Sequence, residues 1–181
     1  MNKKSIYILI IVFLVVLLGY SFTKLGPSSG EQNIQNINEQ TNQSTLEGAK
    51  DFELENLNGD KVKLSDYKGK VIVLNFFATW CPPCKAELPG FVKVVEEYKD
   101  KDVVFLFVDV GEDNSTVKGF LDENGYKFTP LMDYDGKVSD MYGVRGIPTT
   151  FIISKGFEQK EQHVGFMDEG TLKDLIDAAL W

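Results

Sequence analysis

The stretch Trp80-Cys81-Pro82-Pro83-Cys84-Lys85 constrains this chain more than any other. It holds the only two cysteines, directly after the apolar run Val71–Phe77. A strand that ends in Cys-x-x-Cys and opens a helix brings two sulfurs within ring-closing reach. The unpaired N–H groups and macrodipole of the helix N-terminus then favour a thiolate on the first cysteine. The pattern points to thiol–disulfide chemistry on an α/β scaffold.

Bulk properties narrow the alternatives. Net charge is −8, and from Asp51 onward 15 Lys/Arg stand against 24 Asp/Glu. An acidic body gains little from phosphate backbones, so nucleic acid is excluded as a natural partner. Two cysteines cannot make a disulfide framework. One Cys-x-x-Cys and one distant histidine, His163, cannot complete a four-ligand zinc site, so no metal is expected. Lys85, not His, follows Cys84, which excludes haem attachment. The redox disulfide itself is the only prosthetic device the sequence calls for.

Three regions are legible. Residues 1–25 read as an N-terminal signal anchor. Lys3 and Lys4 precede Ile6–Phe22, an uncharged stretch whose length suits a short membrane span. No small-x-small cleavage pattern follows it. Positive charge on the short N-terminal side predicts the N-terminus in the cytoplasm and the body outside. Residues 26–50 are rich in Asn, Gln, Ser, Glu and Gly and cannot bury enough apolar surface to offset their ordering entropy. They read as a flexible polar linker. Residues 51–181 read as the folded domain, expected as a monomer because there are no heptads and no spare cysteine.

Within that domain, Phe52–Leu54 and Lys61–Leu64 flank a hairpin turn at Asn56–Asp60. Val71–Phe77 and Val103–Val110 read as buried strands, parallel through a helical crossover. Pro82–Lys99 reads as a helix with Leu88, Phe91, Val92, Val95 and Tyr98 on one stripe and a kink at Pro89. Ser115–Asn124 is a helix ending at Gly125, Leu131-Met132 a short strand and Lys137–Tyr142 a short helix. Thr149–Ser154 pairs with Lys160–Val164, and Asp168–Leu180 closes the chain as a helix. The order is that of an α/β layered fold.

The chemistry is assigned residue by residue. Cys81, on the strand-to-helix turn, is expected to be the exposed attacking thiol, and Cys84, one turn in, the buried resolving thiol. Pro82 and Pro83 preset the first helical turn and remove two N–H groups from the neighbourhood of Cys81. That should shift the reduction potential of the pair. Glu87 follows Cys84 at i+3 and lies below it on the helix. It is either a buried carboxyl able to take the Cys84 proton or a solvated residue favoured by the helix dipole. Pro148, after Ile147, either forms a cis peptide bond beside the dithiol or opens a strand in trans. Trp80 either shields the dithiol and offers an apolar docking face or is a half-buried aromatic. Asn75, the polar interruption in the central strand, should be satisfied by backbone. His163 reads as surface, and Asp109, Glu112 and Asp113 as a solvated loop.

Val71–Pro89 and Gly143–Ile153 resemble thioredoxin-fold proteins of the TlpA/ResA-like group. The motifs are Asn75-Phe-Phe-Ala-Thr-Trp-Cys-Pro-Pro-Cys84, Glu87-Leu-Pro89, Tyr142-Gly-Val144 and Gly146-Ile-Pro-Thr-Thr-Phe-Ile152. The resemblance covers most of Phe52–Leu180. It implies a central mixed sheet flanked by helices, an N-terminal β-hairpin and a central insertion before Pro148. It makes Cys81 the nucleophile, Cys84 the resolving thiol and Pro148 a cis proline. It also places a carboxylate at Glu87 where cytosolic thioredoxins carry a buried Asp at the position of Asn75. Trp80, Pro82, Pro83, Ile147 and Pro148 are then the candidate substrate-binding set. Phe77 departs from the group's usual Trp, away from the chemistry.

The group consists of exported, usually membrane-anchored oxidoreductases fed electrons by a CcdA/DsbD-type membrane protein. Their implied targets are apocytochromes c, spore-envelope proteins and exported methionine sulfoxide reductases. An oxidase that forms disulfides outside the membrane uses the same residues. A peroxiredoxin is disfavoured because Thr79 is one residue too close to Cys81 for Thr-x-x-Cys spacing. A purely binding role is disfavoured by the intact cysteine pair.

Overall fold

A computed structural model describes residues 48–181. The anchor expected at Ile6–Phe22 and nearly all of the linker lie outside the described residues. Among the described residues, no helix is long and apolar enough to cross a membrane.

The chain opens with a hairpin of β1 (Glu53–Glu55) and β2 (Lys61–Lys63), followed by a 3-10 turn at Leu64–Tyr67. There follow β3 (Val71–Phe77), α1 (Pro82–Tyr98), β4 (Val103–Val110), α2 (Asn114–Asn124), β5 (Leu131–Asp133) and α3 (Lys137–Met141). β6 (Thr149–Ile153), β7 (Gln159–Val164) and α4 (Glu169–Leu180) complete it. The five-stranded sheet has the order β5-β4-β3-β6-β7. β3, β4 and β5 run parallel, whereas β6 pairs antiparallel with both β3 and β7.

β3 is buried at every residue, as a strand covered on both faces must be. Its period of two sends Val71, Val73 and Phe77 to one face, where they pack with Leu88, Phe91 and Val94 of α1 and Leu172 and Ile176 of α4. Ile72, Leu74 and Phe76 face the other side, against Phe52, Leu64, Val138, Tyr142 and Phe151. Asn75 therefore falls on the face covered by α1. That parity, set by the strand's own period, brings a buried amide under the active-site helix.

α1 runs on through Pro89 to Tyr98. Of the stripe expected at Leu88, Phe91, Val92, Val95 and Tyr98, Leu88, Phe91 and Tyr98 are buried; Val94 is buried with them, and Val92 and Val95 are only half-buried. α1 sits over the sheet beside α4, and Tyr98 donates to Asp177 Oδ1 at 2.8 Å to join the two helices. α2 ends where Gly125 takes φ 67°, a left-handed cap that lets its N–H reach the Leu121 carbonyl. Phe128 stacks on Phe107 at 4.1 Å and meets Phe77 edge-on, closing the core beneath the C-terminal ends of β3 and β4.

Candidate active site

Cys81 is the N-cap of α1, with Pro82 and Pro83 at the first two helical positions. The two prolines have no N–H, so the first helical N–H free to meet the cap is that of Cys84. It donates to Cys81 Sγ at 3.2 Å. Cys81 and Cys84 form a disulfide with Cα atoms 5.3 Å apart. In this oxidised form Cys81 is 2% exposed and Cys84 fully buried. The expectation of an exposed first sulfur is thus corrected. In the disulfide Cys81 is buried within the core cluster that also holds Phe77, Ala78 and Leu88. Pro82 and Pro83 are exposed beside it, and Trp80 is 65% exposed.

Ile147–Pro148 is a cis peptide bond. Pro148 is buried and Ile147 half-buried. The Pro148 carbonyl accepts from Gly165 N–H at 2.8 Å, which ties the loop after β7 to the proline. Gly165 has φ +97°, a backbone setting that favours glycine. Phe166, next in that loop, is exposed, as is Val164.

Glu87 is 2% exposed, so the buried alternative holds. Its Oε1 accepts from Asn75 Nδ2 at 2.9 Å and its Oε2 from Met167 N–H at 3.0 Å. The same Asn75 amide nitrogen donates to Thr150 Oγ1 at 2.9 Å, so side chains and not backbone satisfy it. Asn75 Oδ1 is buried without a partner. Burial pushes the Glu87 carboxyl up to about 7, against the opposing pull of Met167 N–H, Asn75 and the charge of His163. A carboxyl near neutrality, one turn below Cys84, is poised to exchange a proton at physiological pH.

Contrary to its expected place on the surface, His163 is half-buried, and its charge favours the ionised form of Glu87. It stands opposite Thr150, which stands opposite Asn75, in one row across β7, β6 and β3. Cross-strand partners share a face, so all three point to the side covered by α1. His163 Nε2 lies 3.1 Å from the Phe166 carbonyl, one residue before the N–H that holds Glu87. The signal was present in the Thr149–Ser154 and Lys160–Val164 pairing, but the register shift at Ile152/Ile153 hides the alignment from simple counting.

The acidic residues at and just beyond the end of β4 are also not a uniformly solvated loop. Asp109 is fully buried, Glu112 is half-buried, and only Asp113 is an exposed helix cap. Glu112 accepts from both Thr79 N–H, at 2.5 Å, and Thr79 Oγ1–H, at 2.6 Å. Thr79 immediately precedes Trp80 and Cys81.

A Cys-x-x-Cys disulfide capping the helix after the central strand of such a sheet defines the thioredoxin-fold thiol–disulfide oxidoreductases. Residues 46–157 match the AhpC/TSA family. Thiol-disulfide oxidoreductase ResA of Bacillus subtilis is 33% identical over 178 residues, covering 97% of this chain and 94% of that one. ResA of Halalkalibacterium halodurans is 37% identical over 131 residues, 72% of this chain and 74% of that one. A crystal structure from Chlorobium tepidum, assigned as thiol:disulfide interchange protein DsbE, superposes with a TM-score of 0.69 at 36% identity. It covers 74% of this chain and 96% of its own. The chain belongs to the AhpC/TSA family and, within it, groups with the ResA thiol-disulfide oxidoreductases.

Proposed function

We propose that the protein reduces disulfides of exported proteins by dithiol exchange. The observation that carries the exchange chemistry is the buried Glu87 carboxyl, held near neutral pKa one turn below Cys84, and the ResA relatives support the reducing direction. In the reduced protein the Cys81 thiolate, stabilised at the helix N-terminus, attacks one sulfur of a substrate disulfide. The substrate S–S bond breaks, its second sulfur leaves and takes a proton, and a Cys81–substrate disulfide forms. Glu87 accepts the Cys84 proton. The Cys84 thiolate then attacks Cys81 Sγ, closing the Cys81–Cys84 bond and expelling the substrate sulfur that Cys81 had attacked, which takes a proton and leaves as a thiol. Two electrons pass from the dithiol to the substrate.

Trp80, Pro82 and Pro83 form the exposed apolar approach to the sulfurs, and Ile147 and Pro148 the side on which an extended substrate segment would lie. Electrons must be restored by a donor of the CcdA/DsbD kind. The uncharged Ile6–Phe22 stretch and the ResA relatives support an anchored, extracytoplasmic domain spanning 51–181 on a tether of residues 26–50. Apocytochromes c are one target class consistent with the family.

The test is trapping. Cys84→Ser should accumulate mixed disulfides on Cys81 with exported proteins, and Cys81→Ser should accumulate none. Equal trapping by both variants would contradict the assigned order of attack. Peroxide consumption by the reduced protein is expected to be absent, because Thr79 is committed to Glu112 and its spacing from Cys81 is short.

A further inference from the structure

The reaction above makes no use of Asp109. This carboxyl has no exposed surface, its Oδ1 accepts the Glu112 N–H at 3.3 Å, and its Oδ2 is buried with no partner. A buried carboxylate oxygen that meets no donor is costly as an ion. The charges that bear on it, those of Glu112 and Asp113, are both negative. Asp113 is occupied in capping α2 through Ser115 and Thr116 N–H, which leaves Glu112 as the group able to share with Asp109. Both oxygens of Glu112 accept from Thr79, and each keeps a lone pair free. A proton on Asp109 resolves the arrangement: Asp109 becomes the donor and Glu112 stays the ionised acceptor. Burial first, then Glu112, raises the Asp109 carboxyl well above the usual carboxylate range.

Asp109 lies opposite Phe77, at the last residue of β3, where the chain turns toward Thr79, Trp80 and Cys81. We propose that Asp109 and Glu112 share one proton and act together as a positioning pair that holds the Thr79 turn, and with it Trp80 and Cys81, in the attacking geometry. Loss of the shared proton puts two like charges side by side and drives Glu112 off Thr79. The inference rests on Cys81 being the attacking sulfur, but its first readout does not depend on turnover.

Trp80 and Trp181 are the only tryptophans, and Trp181 is a fully exposed terminal residue. In the full-length Trp181→Phe protein, Trp80 fluorescence should show a transition in the neutral to alkaline range. Asp109→Asn, a neutral isostere that still offers Glu112 an N–H, should abolish that transition and keep activity on a disulfide-bearing protein at pH 7. Glu112→Gln, which removes the negative charge and one of the two acceptor oxygens facing Thr79, should lower kcat/KM roughly tenfold, the loss of about one charge-assisted hydrogen bond. A Trp80 transition unchanged in Asp109→Asn overturns the proposal, as does a Glu112→Gln rate at or above the parent's. If Asp109→Asn fails to fold, carboxyl 13C NMR of the unaltered protein decides. A protonated Asp109 at pH 7 supports the pair, and an ionised one refutes it.

Discussion

Glu87 holds its proton tightly because desolvation outweighs the two hydrogen bonds and one cationic neighbour that favour its charge. The folded protein binds this proton more strongly than the unfolded chain does. The resulting stability is complete below about pH 4.5 and is lost as pH rises through about 7. Glu87→Gln should therefore gain stability relative to the parent as pH increases, by on the order of 3 kcal/mol once both states of the parent are ionised. Denaturant melts at acid and mildly alkaline pH would show it, and a constant difference would contradict the buried-carboxyl account. The same variant should slow release of the Cys81 mixed disulfide about a hundredfold while leaving the first attack nearly unchanged, as loss of a general base requires. His163→Gln can still bond the Phe166 carbonyl but carries no charge. It should move the pH midpoint of that release upward, read from single-turnover rates at a series of pH values; an unmoved midpoint would remove His163 from the site. At this scale the sequence showed the sulfurs and named Glu87 but not its environment. The pairing of His163 with Thr150 and the burial of Asp109 depend on register and on what the strands pack against, which no local motif encodes.

The strands and helices themselves were largely legible, because each carries its own period. β3 and β4 are apolar runs each broken by a single polar residue, Asn75 and Asp109, and α2 is bounded by a capping Asp113 and by Gly125. The buried face of α1 was less legible. Val92, Val94 and Val95 are equivalent by composition, with Val92 and Val94 at opposite edges of the apolar arc and Val95 within it. The position of α1 against Phe107 and α4 decides which of them is buried, and the choice falls on Val94. Asn75 carried a similar ambiguity: its parity on β3 was countable, but the helix that covers that face was not. Phe91 is the largest α1 side chain in this contact, fully buried and 6.3 Å from the Phe107 ring. Phe91→Ala should cost about 3–5 kcal/mol in chemical denaturation. The reduction potential should stay unchanged, because the cap at Cys81 and the Glu87 contacts lie elsewhere on the helix. A potential that moved with Phe91 would mean that the packing of α1, and not its first turn, sets the chemistry.

For the whole molecule, the central sheet puts a redox disulfide at the end of β3, a buried carboxyl on the inner face of the helix, and a cis-proline loop beside them. The same parts serve a protein that gives electrons or one that takes them, so geometry defines the class and energetics the direction. The N-terminal turn of α1 offers Cys81 one free N–H where a proline-free turn would offer more. That limits stabilisation of the thiolate and favours a reducing couple. The most direct test is the reduction potential of the Cys81–Cys84 pair at pH 7, measured by equilibration with thiol buffers. A value near that of thioredoxin, about −270 mV, is what this account predicts for a disulfide reductase. A value near that of DsbA, about −120 mV, would contradict it and make the protein a disulfide-forming oxidase.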